Sequence, residues 1–161
     1  MEKKEHLKNS LNTNVAMIKA MIDDITEEES LHRGNGEFNH IKWQTGHLVY
    51  TAALTLKCLG EDADLSPEWK DLFARGAGFK EDENIYPSMN EIKAKLYSIH
   101  KAIFEKLENM IGSDLEAMVK LGPEYEVTAI DGALFFCAHD AYHCGQMAMI
   151  RKALGRERAF G

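Results

Sequence analysis

Apolar residues recur at spacings of three and four in four long segments of this chain, and this period constrains the fold more than any other feature. The first segment, residues 5–25, has the stripe Leu7, Leu11, Val15, Ile18, Ile22 and Ile25. Such a stripe is one face of an amphipathic helix. No segment shows sustained alternation of apolar and polar residues, so the sequence predicts an all-α fold with long helices over residues 5–25, 39–59, 88–111 and 128–154.

The predicted helix ends carry the residues that usually mark them. Ser88 and Glu91 have the spacing of a capping box, and Thr128 can cap the fourth helix. A glycine follows the second, third and fourth segments, as is common just past a helix C-terminus. These signals support helices of about 20 residues or more, the length of four-helix-bundle helices.

Residues 61–87 form a long connection between the second and third helices. They contain two of the three prolines and one short predicted helix at 66–73, with Ser66 as N-cap and Pro67 in the first position. The connection is long enough to span a bundle, so helices 2 and 3 need not be antiparallel neighbours. We therefore predict a single four-helix-bundle domain over residues 1–161, with a long connection that is a candidate for substrate-selecting residues.

Composition excludes several classes of function. The formal net charge of −7 disfavours nucleic acid as a partner, because phosphate-binding surfaces need clustered Lys and Arg. No apolar run approaches the roughly 20 residues of a membrane span, and the N-terminus lacks the apolar core of a signal peptide. Three cysteines without a CxxC motif fit a reducing compartment. The expected location is the cytoplasm.

Two histidines on the fourth predicted helix are the first candidates for a functional site. His139 and His143 are four residues apart, so both side chains lie on one helix face. Phe136, Met147 and Ile150 share that face, which therefore points into the bundle. An unsatisfied buried polar group costs about 1–3 kcal/mol, and a divalent metal would satisfy both imidazoles. Imidazole is a good ligand for Zn, Ni, Cu or Fe.

A third ligand is expected on the second helix. His47 shares an inward stripe with Trp43 and Leu54, and His40, seven residues before His47, is an alternative to it. Three protein ligands leave an open position, at which a water or thiol would become a nucleophile near neutral pH. The other histidines are predicted to lie at the surface or rim: His6, His32 and His100.

Neighbours of the histidines are candidates for supporting or substrate-binding roles. Asp140 and Tyr142 lie off the histidine face, where they could hydrogen-bond a ligating imidazole, and Gln146 could orient a ligand. The plainer alternatives are a solvated helix charge for Asp140 and a surface side chain for Gln146. The HxxxH frame also occurs in zinc proteases, but those have Glu where this chain has Asp140, and no histidine follows His143.

Two segments together resemble one known family. NHIKWQTGHLVYT at 39–51 and HDAYHCGQMAMIRKALG at 139–155 look like the DinB/YfiT superfamily of four-helix-bundle metalloproteins. The family pattern is Trp-x-x-x-His on helix 2, then His-[Glu/Asp]-x-x-His-x-Gly-Gln and Arg-x-x-x-Gly on helix 4. The matching residues are Trp43, His47, His139, His143, Gly145, Gln146, Arg151 and Gly155. Asp140 departs from the commoner Glu, which puts the contact made by that carboxylate in doubt.

The resemblance implies a three-histidine metal site, formed by His47, His139 and His143, at one end of the bundle and open to water. Nickel or zinc is the usual occupant, with iron or manganese as alternatives. Relatives include bacillithiol- and mycothiol-dependent transferases and isomerases, so a low-molecular-weight thiol is an expected cofactor, and homodimers are common. Our hypothesis is a metal-dependent transferase or hydrolase for a small molecule, with Trp43 among its supporting residues. The alternatives are a non-catalytic metal-binding or stress-response protein and an all-helical dimerisation module without metal.

Overall fold

The computed structural model describes residues 2–34, 36, 38–122 and 124–159. The six residues of the predicted domain that lie outside them are Met1, Asn35, Glu37, Pro123, Phe160 and Gly161. The predicted four-helix bundle is confirmed. Its elements in chain order are α1 (Glu2–Ile22), α2 (Glu27–Ser30), α3 (Ile41–Cys58), α4 (Pro67–Phe73), a 3₁₀ turn (Glu83–Ile85), α5 (Met89–Asn109), α6 (Gly112–Leu115), β1 (Met118–Lys120), β2 (Glu126–Thr128) and α7 (Ala129–Ala153). Among the described helices, none is both long enough and apolar enough to cross a membrane.

Helix α3 lies at the centre of the packing. It contacts α5 on one side and α7 on another, while α1 packs mainly against α7. The long connection therefore links two helices that are neighbours in the bundle. The predicted stripes form the core, in which the largest fully buried side chains include Leu7, Ile18, Ile22, Leu48, Ile92, Leu96, Ile103 and Leu107.

The helix boundaries follow the predicted caps with two differences. Ser88 and Glu91 form a capping box, and the Thr128 side chain accepts a hydrogen bond from the Asp131 amide. The first helix ends at Ile22, three residues earlier than predicted. The third ends at Asn109 because the backbone of Met110 is extended, with ψ at 144°.

A small hairpin was not predicted. Residues Met118–Lys120 pair antiparallel with Glu126–Thr128, and the Ala129 amide donates to the Ala117 carbonyl just beyond the pair. Strands of three residues are too short to show the alternation by which a strand is recognised in a sequence.

The prediction that His100 lies at the surface or rim is wrong. Its side chain is only 7% exposed, and its Nδ1 has no hydrogen-bond partner among the described residues. His100 follows Ile99 by one position, so it lies about 100° round the helix from the predicted stripe. Because α1 also contacts α5, the buried face of α5 is wider than that stripe. Burial lowers the pKa of His100 to about 4.

The short helix α4 docks closely on α3. Ser66 caps α4 by accepting from the Trp69 amide, and Pro67 begins it, as predicted. The ring of Phe73, at the other end of α4, lies directly over Gly46. A Cβ at position 46 would come within 2.2 Å of that ring, so only glycine permits this approach.

Candidate metal centre

His47 on α3 and His139 and His143 on α7 converge. One ring nitrogen from each lies within 4.8 Å of the others. The ring centroids are 4.6 Å apart for His139 and His143, 4.8 Å for His47 and His143, and 5.1 Å for His47 and His139. The meeting follows from the direct packing of α3 on α7 and from the four-residue spacing on α7.

The orientation of His47 is set by α4. Its Nδ1 lies 2.6 Å from the backbone oxygen of Phe73, the last residue of that helix. The final carbonyls of a helix have no partner within it, and here the Trp43 indole also donates to the Leu72 carbonyl at 2.9 Å. Since a carbonyl only accepts, the proton of His47 is on Nδ1 and its Nε2 carries a lone pair.

The orientation of His143 is set by Gln44 on α3. The Nδ1 of His143 lies 3.2 Å from Oε1 of Gln44. The amide of Gln44 is itself fixed, because its Nε2 donates to the Asn39 carbonyl at 2.9 Å. His143 must therefore donate from Nδ1, which again leaves a lone pair on Nε2.

His139 lies beside a buried carboxylate. Its Nδ1 is 3.5 Å from Oδ1 of Asp140, beyond hydrogen-bond length, and has no hydrogen-bond partner among the described residues. Asp140 is buried and accepts a hydrogen bond from the Thr51 hydroxyl at 2.9 Å. Burial raises the pKa of Asp140, while His139 and Thr51 oppose that rise.

His47 and His143 thus each present an Nε2 lone pair to the cluster. The Nε2 atoms of His47 and His139 are 3.4 Å apart. Burial lowers the pKa of His47, and burial together with the neighbouring imidazoles lowers the pKa of His143 to about 3. These two rings are neutral at pH 7, the state in which imidazole binds metals. The side chain of His139 is 26% exposed, so the cluster reaches solvent on that side.

The other residues predicted to support the site differ in burial and in their contact with the histidines. Trp43 is buried and stacks on His47, with ring centroids 5.0 Å apart and planes 13° apart. Tyr142 is mostly exposed and meets His143 edge-on, 5.2 Å between centroids. Gln146 is half-buried on α7. Asp140 is not a solvated charge, and any role of these four residues beyond their position stays a prediction.

The alternative ligand His40 is excluded by its position at the start of α3. Its Nδ1 accepts a hydrogen bond from the Trp43 amide at 2.9 Å. Its ring is fully buried and meets Phe79 and Tyr86 edge-on. His40 is therefore a helix cap, and burial lowers its pKa to about 4.

Three groups at the cluster were missed from the sequence. Gln44 lies three residues before His47 and Thr51 four residues after it, so all three share one face of α3. This polar stripe on a buried helix face is the sequence feature by which Gln44 and Thr51 could have been found. The Phe73 carbonyl could not have been found from the sequence, because every residue has a backbone carbonyl. Gly46, in the interior of a helix, indicates that something approaches closely there.

Comparisons with known proteins agree with this architecture. The sequence profile of the DinB superfamily matches residues 11–147. Among solved structures, the chain is similar to YfiT from Bacillus subtilis, which is described as a probable metal-dependent hydrolase with an unusual four-helix bundle topology. That similarity has a TM-score of 0.69 at 11% identity and covers 98% of this chain and 90% of YfiT. None of the curated proteins matches the chain in sequence. The extent of the profile match shows that the chain belongs to the DinB superfamily.

Proposed function

We propose that this protein binds a divalent metal ion through Nε2 of His47, His139 and His143, and that it acts on a small molecule by transfer or hydrolysis. The observation on which this rests is the set of converging lone pairs. His47 and His143 both have a fixed Nδ1–H, so their Nε2 lone pairs cannot hydrogen-bond each other, and a cation between the rings would satisfy both.

The spacing of His47 and His139 fits such an ion. In a tetrahedral site with nitrogen–zinc distances of about 2.0–2.1 Å, two ligand nitrogens are about 3.3 Å apart. The Nε2 atoms of His47 and His139 are 3.4 Å apart. An all-imidazole donor set suits zinc or nickel first, with iron also compatible, and is less suited to manganese, which favours oxygen ligands.

The surroundings fit a reactive site rather than a closed structural one. Three protein ligands leave a coordination position open, and a bound metal ion would activate a water or a low-molecular-weight thiol as a nucleophile. The partial exposure of His139 gives a small molecule a path to that position. On the side away from the open position, the Phe73 carbonyl accepts from His47 and Gln44 accepts from His143. Asp140 lies beside His139. The description of YfiT as a probable metal-dependent hydrolase supports hydrolysis as the first reaction to test.

Metal analysis of untagged protein tests the proposal. Wild type should contain close to one Zn, Ni or Fe per chain, and His47→Ala and His143→Ala should each lose it while remaining folded by circular dichroism. His6→Ala is the matched control, because His6 is exposed on α1. A wild type that stays metal-free after incubation with each ion would overturn the proposal and favour a dimerisation module. Full metal content without hydrolase or thiol-transferase activity would favour a non-catalytic metal-binding protein.

Gln44 should strengthen metal binding through His143. Gln44→Leu removes the acceptor that holds His143 Nδ1, and loss of such a contact typically weakens metal binding about 10–100-fold. Competition with a chelator measures this, and Gln44→Glu, which keeps an acceptor oxygen, should recover part of the affinity. Gln146→Leu makes the same chemical change on α7 and should leave metal affinity unchanged. Equal losses in Gln44→Leu and Gln146→Leu would show that His143 is not held in this way.

A further inference from the structure

Aromatic rings flank the histidine cluster on both helices that form it. On α3, the ring of Tyr50 stacks against His47, with centroids 6.2 Å apart and planes 24° apart. Tyr50 is half-buried, so its ring lies partly against the cluster and partly in solvent. On α7, the ring of Phe136 meets His139 edge-on, with 6.5 Å between centroids. The walls of the cluster are therefore aromatic on both helices.

The half-exposed His139 lies between two exposed aromatic residues. Phe135 precedes His139 by four positions and Tyr142 follows it by three, so the three share one side of α7. Phe135 is 52% exposed and Tyr142 63%, so packing in the core accounts for neither ring. Tyr142 also meets His143 edge-on at 5.2 Å, and the rings of Phe135 and Phe136 are 5.4 Å apart. We call this set of side chains the aromatic rim: Tyr50, Phe135, Phe136 and Tyr142.

The helix segments that carry the aromatic rim have no charge to offer a ligand. Residues 43–56 of α3 contain no Asp, Glu, Lys or Arg, and residues 132–150 of α7 contain only Asp140. Asp140 is buried and accepts from the Thr51 hydroxyl at 2.9 Å, so it does not face a molecule at the rim. The two helices therefore provide no ion-pair partner there.

The other described elements bring no cation close to the cluster either. A lysine or arginine nearby would lower the pKa of His47 and of His143, because it would disfavour a second positive charge. The pKa of each is lowered by burial and by neighbouring imidazoles, and no Lys or Arg of the described residues contributes. Recognition at the aromatic rim thus depends on contact with rings and not on ion pairing.

These surroundings restrict the chemistry of a ligand. Its donor atom can be anionic, because that atom would lie at the metal ion itself. A further carboxylate would lie at the aromatic rim, where removing it from water without a cationic partner is unfavourable. An aryl group in the same place would gain ring contacts, which contribute more than the area that they bury. The aromatic rim therefore favours an aryl group over an acid.

We propose that the molecule which binds at the metal centre is uncharged beyond its donor atom and carries an aryl group, which the aromatic rim selects by contact. This inference rests on the proposed function and names the class of substrate for the same site. Tyr50 is the selecting residue on α3, next to His47, and Tyr142 is one on α7, next to His143. A thiol that carries carboxylates is the disfavoured partner.

Thiol binding to the cobalt-loaded protein tests this class of substrate. Co²⁺ is a spectroscopic substitute for zinc, and a thiolate bound to it absorbs in the near ultraviolet, so binding is measured without turnover. The probes are β-phenylethanethiol and β-mercaptopropionate, which share the same thiol chain and end in a phenyl ring and a carboxylate. After correction for the thiol pKa of each probe, wild type should bind the phenyl probe at least about tenfold more tightly.

Substitutions in the aromatic rim test the selecting surface. Tyr50→Ala should weaken binding of the phenyl probe about fivefold or more, because a ring contact is lost, whereas Tyr50→Phe should bind it like wild type. Tyr142→Arg should tighten binding of the carboxylate probe about fivefold or more, because it supplies a cationic partner. Tyr125→Arg is the matched control on the loop of the hairpin, where Tyr125 is exposed, and should leave both Kd values unchanged. The cobalt content of each variant shows whether the site is intact.

The outcomes separate this inference from the proposed function. A protein that binds no cobalt would overturn both. A cobalt-loaded wild type that binds β-mercaptopropionate at least as tightly as β-phenylethanethiol, or that binds neither, would overturn the class of substrate alone. A preference for the phenyl probe that both Tyr50→Ala and Tyr142→Arg leave unchanged would do the same, because the selecting surface would then lie elsewhere.

Discussion

Replacing Gly46 with alanine should destabilise the protein by about 2–4 kcal/mol and weaken metal binding at least about tenfold. The new Cβ would lie 2.2–2.5 Å from three atoms of the Phe73 ring. That ring is fully buried, so it cannot turn aside and must leave its position together with α4. Alanine would favour the α3 helix itself by about 0.5–1 kcal/mol, so the loss reports packing alone.

The effect on metal binding follows from the same displacement. The Phe73 backbone oxygen accepts from Nδ1 of His47 at 2.6 Å. When α4 moves, His47 loses the contact that fixes its tautomer and ring orientation. Its Nε2 then no longer points permanently at the cluster, and part of the binding free energy is spent on ordering the ring.

Denaturant unfolding and chelator competition measure the two effects. Gly112→Ala is the control, because a Cβ there meets nothing within 4 Å, and its effect on stability should stay below about 1 kcal/mol. Gly46→Ala combined with Phe73→Ala should be no less stable than Phe73→Ala alone, since the clash is gone. Additive losses in that double variant would show that the Phe73 ring is not what position 46 must accommodate.

The bundle was predictable because its cause lies in residue type and period. The stripe Ile92, Leu96, Ile99 and Ile103 identifies a helix and its buried face in one step. The same period identified His47 as an inward residue, and its convergence with His139 and His143 needed only the packing of the two helices. Patterns of this kind depend on side chains alone.

The features that could not be predicted from the sequence depend on tertiary packing, that is, on which helix packs against which face of its neighbour. His100 is one position from the stripe, and whether it is buried depends on α1 packing against that side of α5. The acceptor for His47 is a backbone carbonyl, which every residue has. The sequence indicates that α4 exists, through Ser66 and Pro67, but its docking site on Gly46 is a tertiary contact.

Acidification should destabilise the metal-free protein steeply between about pH 6.5 and pH 4. Burial lowers the pKa of His40 and of His100 to about 4 in the folded state, and burial with neighbouring imidazoles lowers that of His143 to about 3. In the unfolded chain each titrates near 6.5. Between these values the unfolded chain binds protons that the folded chain excludes, so the free energy of unfolding falls as the pH falls.

The size of the slope follows from the number of groups. Each excluded proton contributes up to about 1.4 kcal/mol per pH unit, so His40, His100 and His143 give up to about 4 kcal/mol per unit. His47, whose pKa is also lowered by burial, acts in the same sense. Asp140 acts in the opposite sense, because burial raises its pKa and the folded state then holds a proton that the unfolded chain has lost. Asp140 therefore adds to the free energy of unfolding as the pH falls through that raised pKa. The net slope should be about 2–3 kcal/mol per unit at its steepest.

His100→Leu isolates one of these groups away from the metal centre. It should reduce the slope by about 1 kcal/mol per pH unit. It should also keep or raise the stability at pH 7, because it removes a buried Nδ1 that has no partner among the described residues. Urea unfolding with a chelator at a series of pH values measures this, and His6→Leu, at an exposed position, should leave the slope unchanged. An unchanged slope in His100→Leu would mean that the folded protein accepts a proton on His100, which its burial between α5 and α1 should not permit.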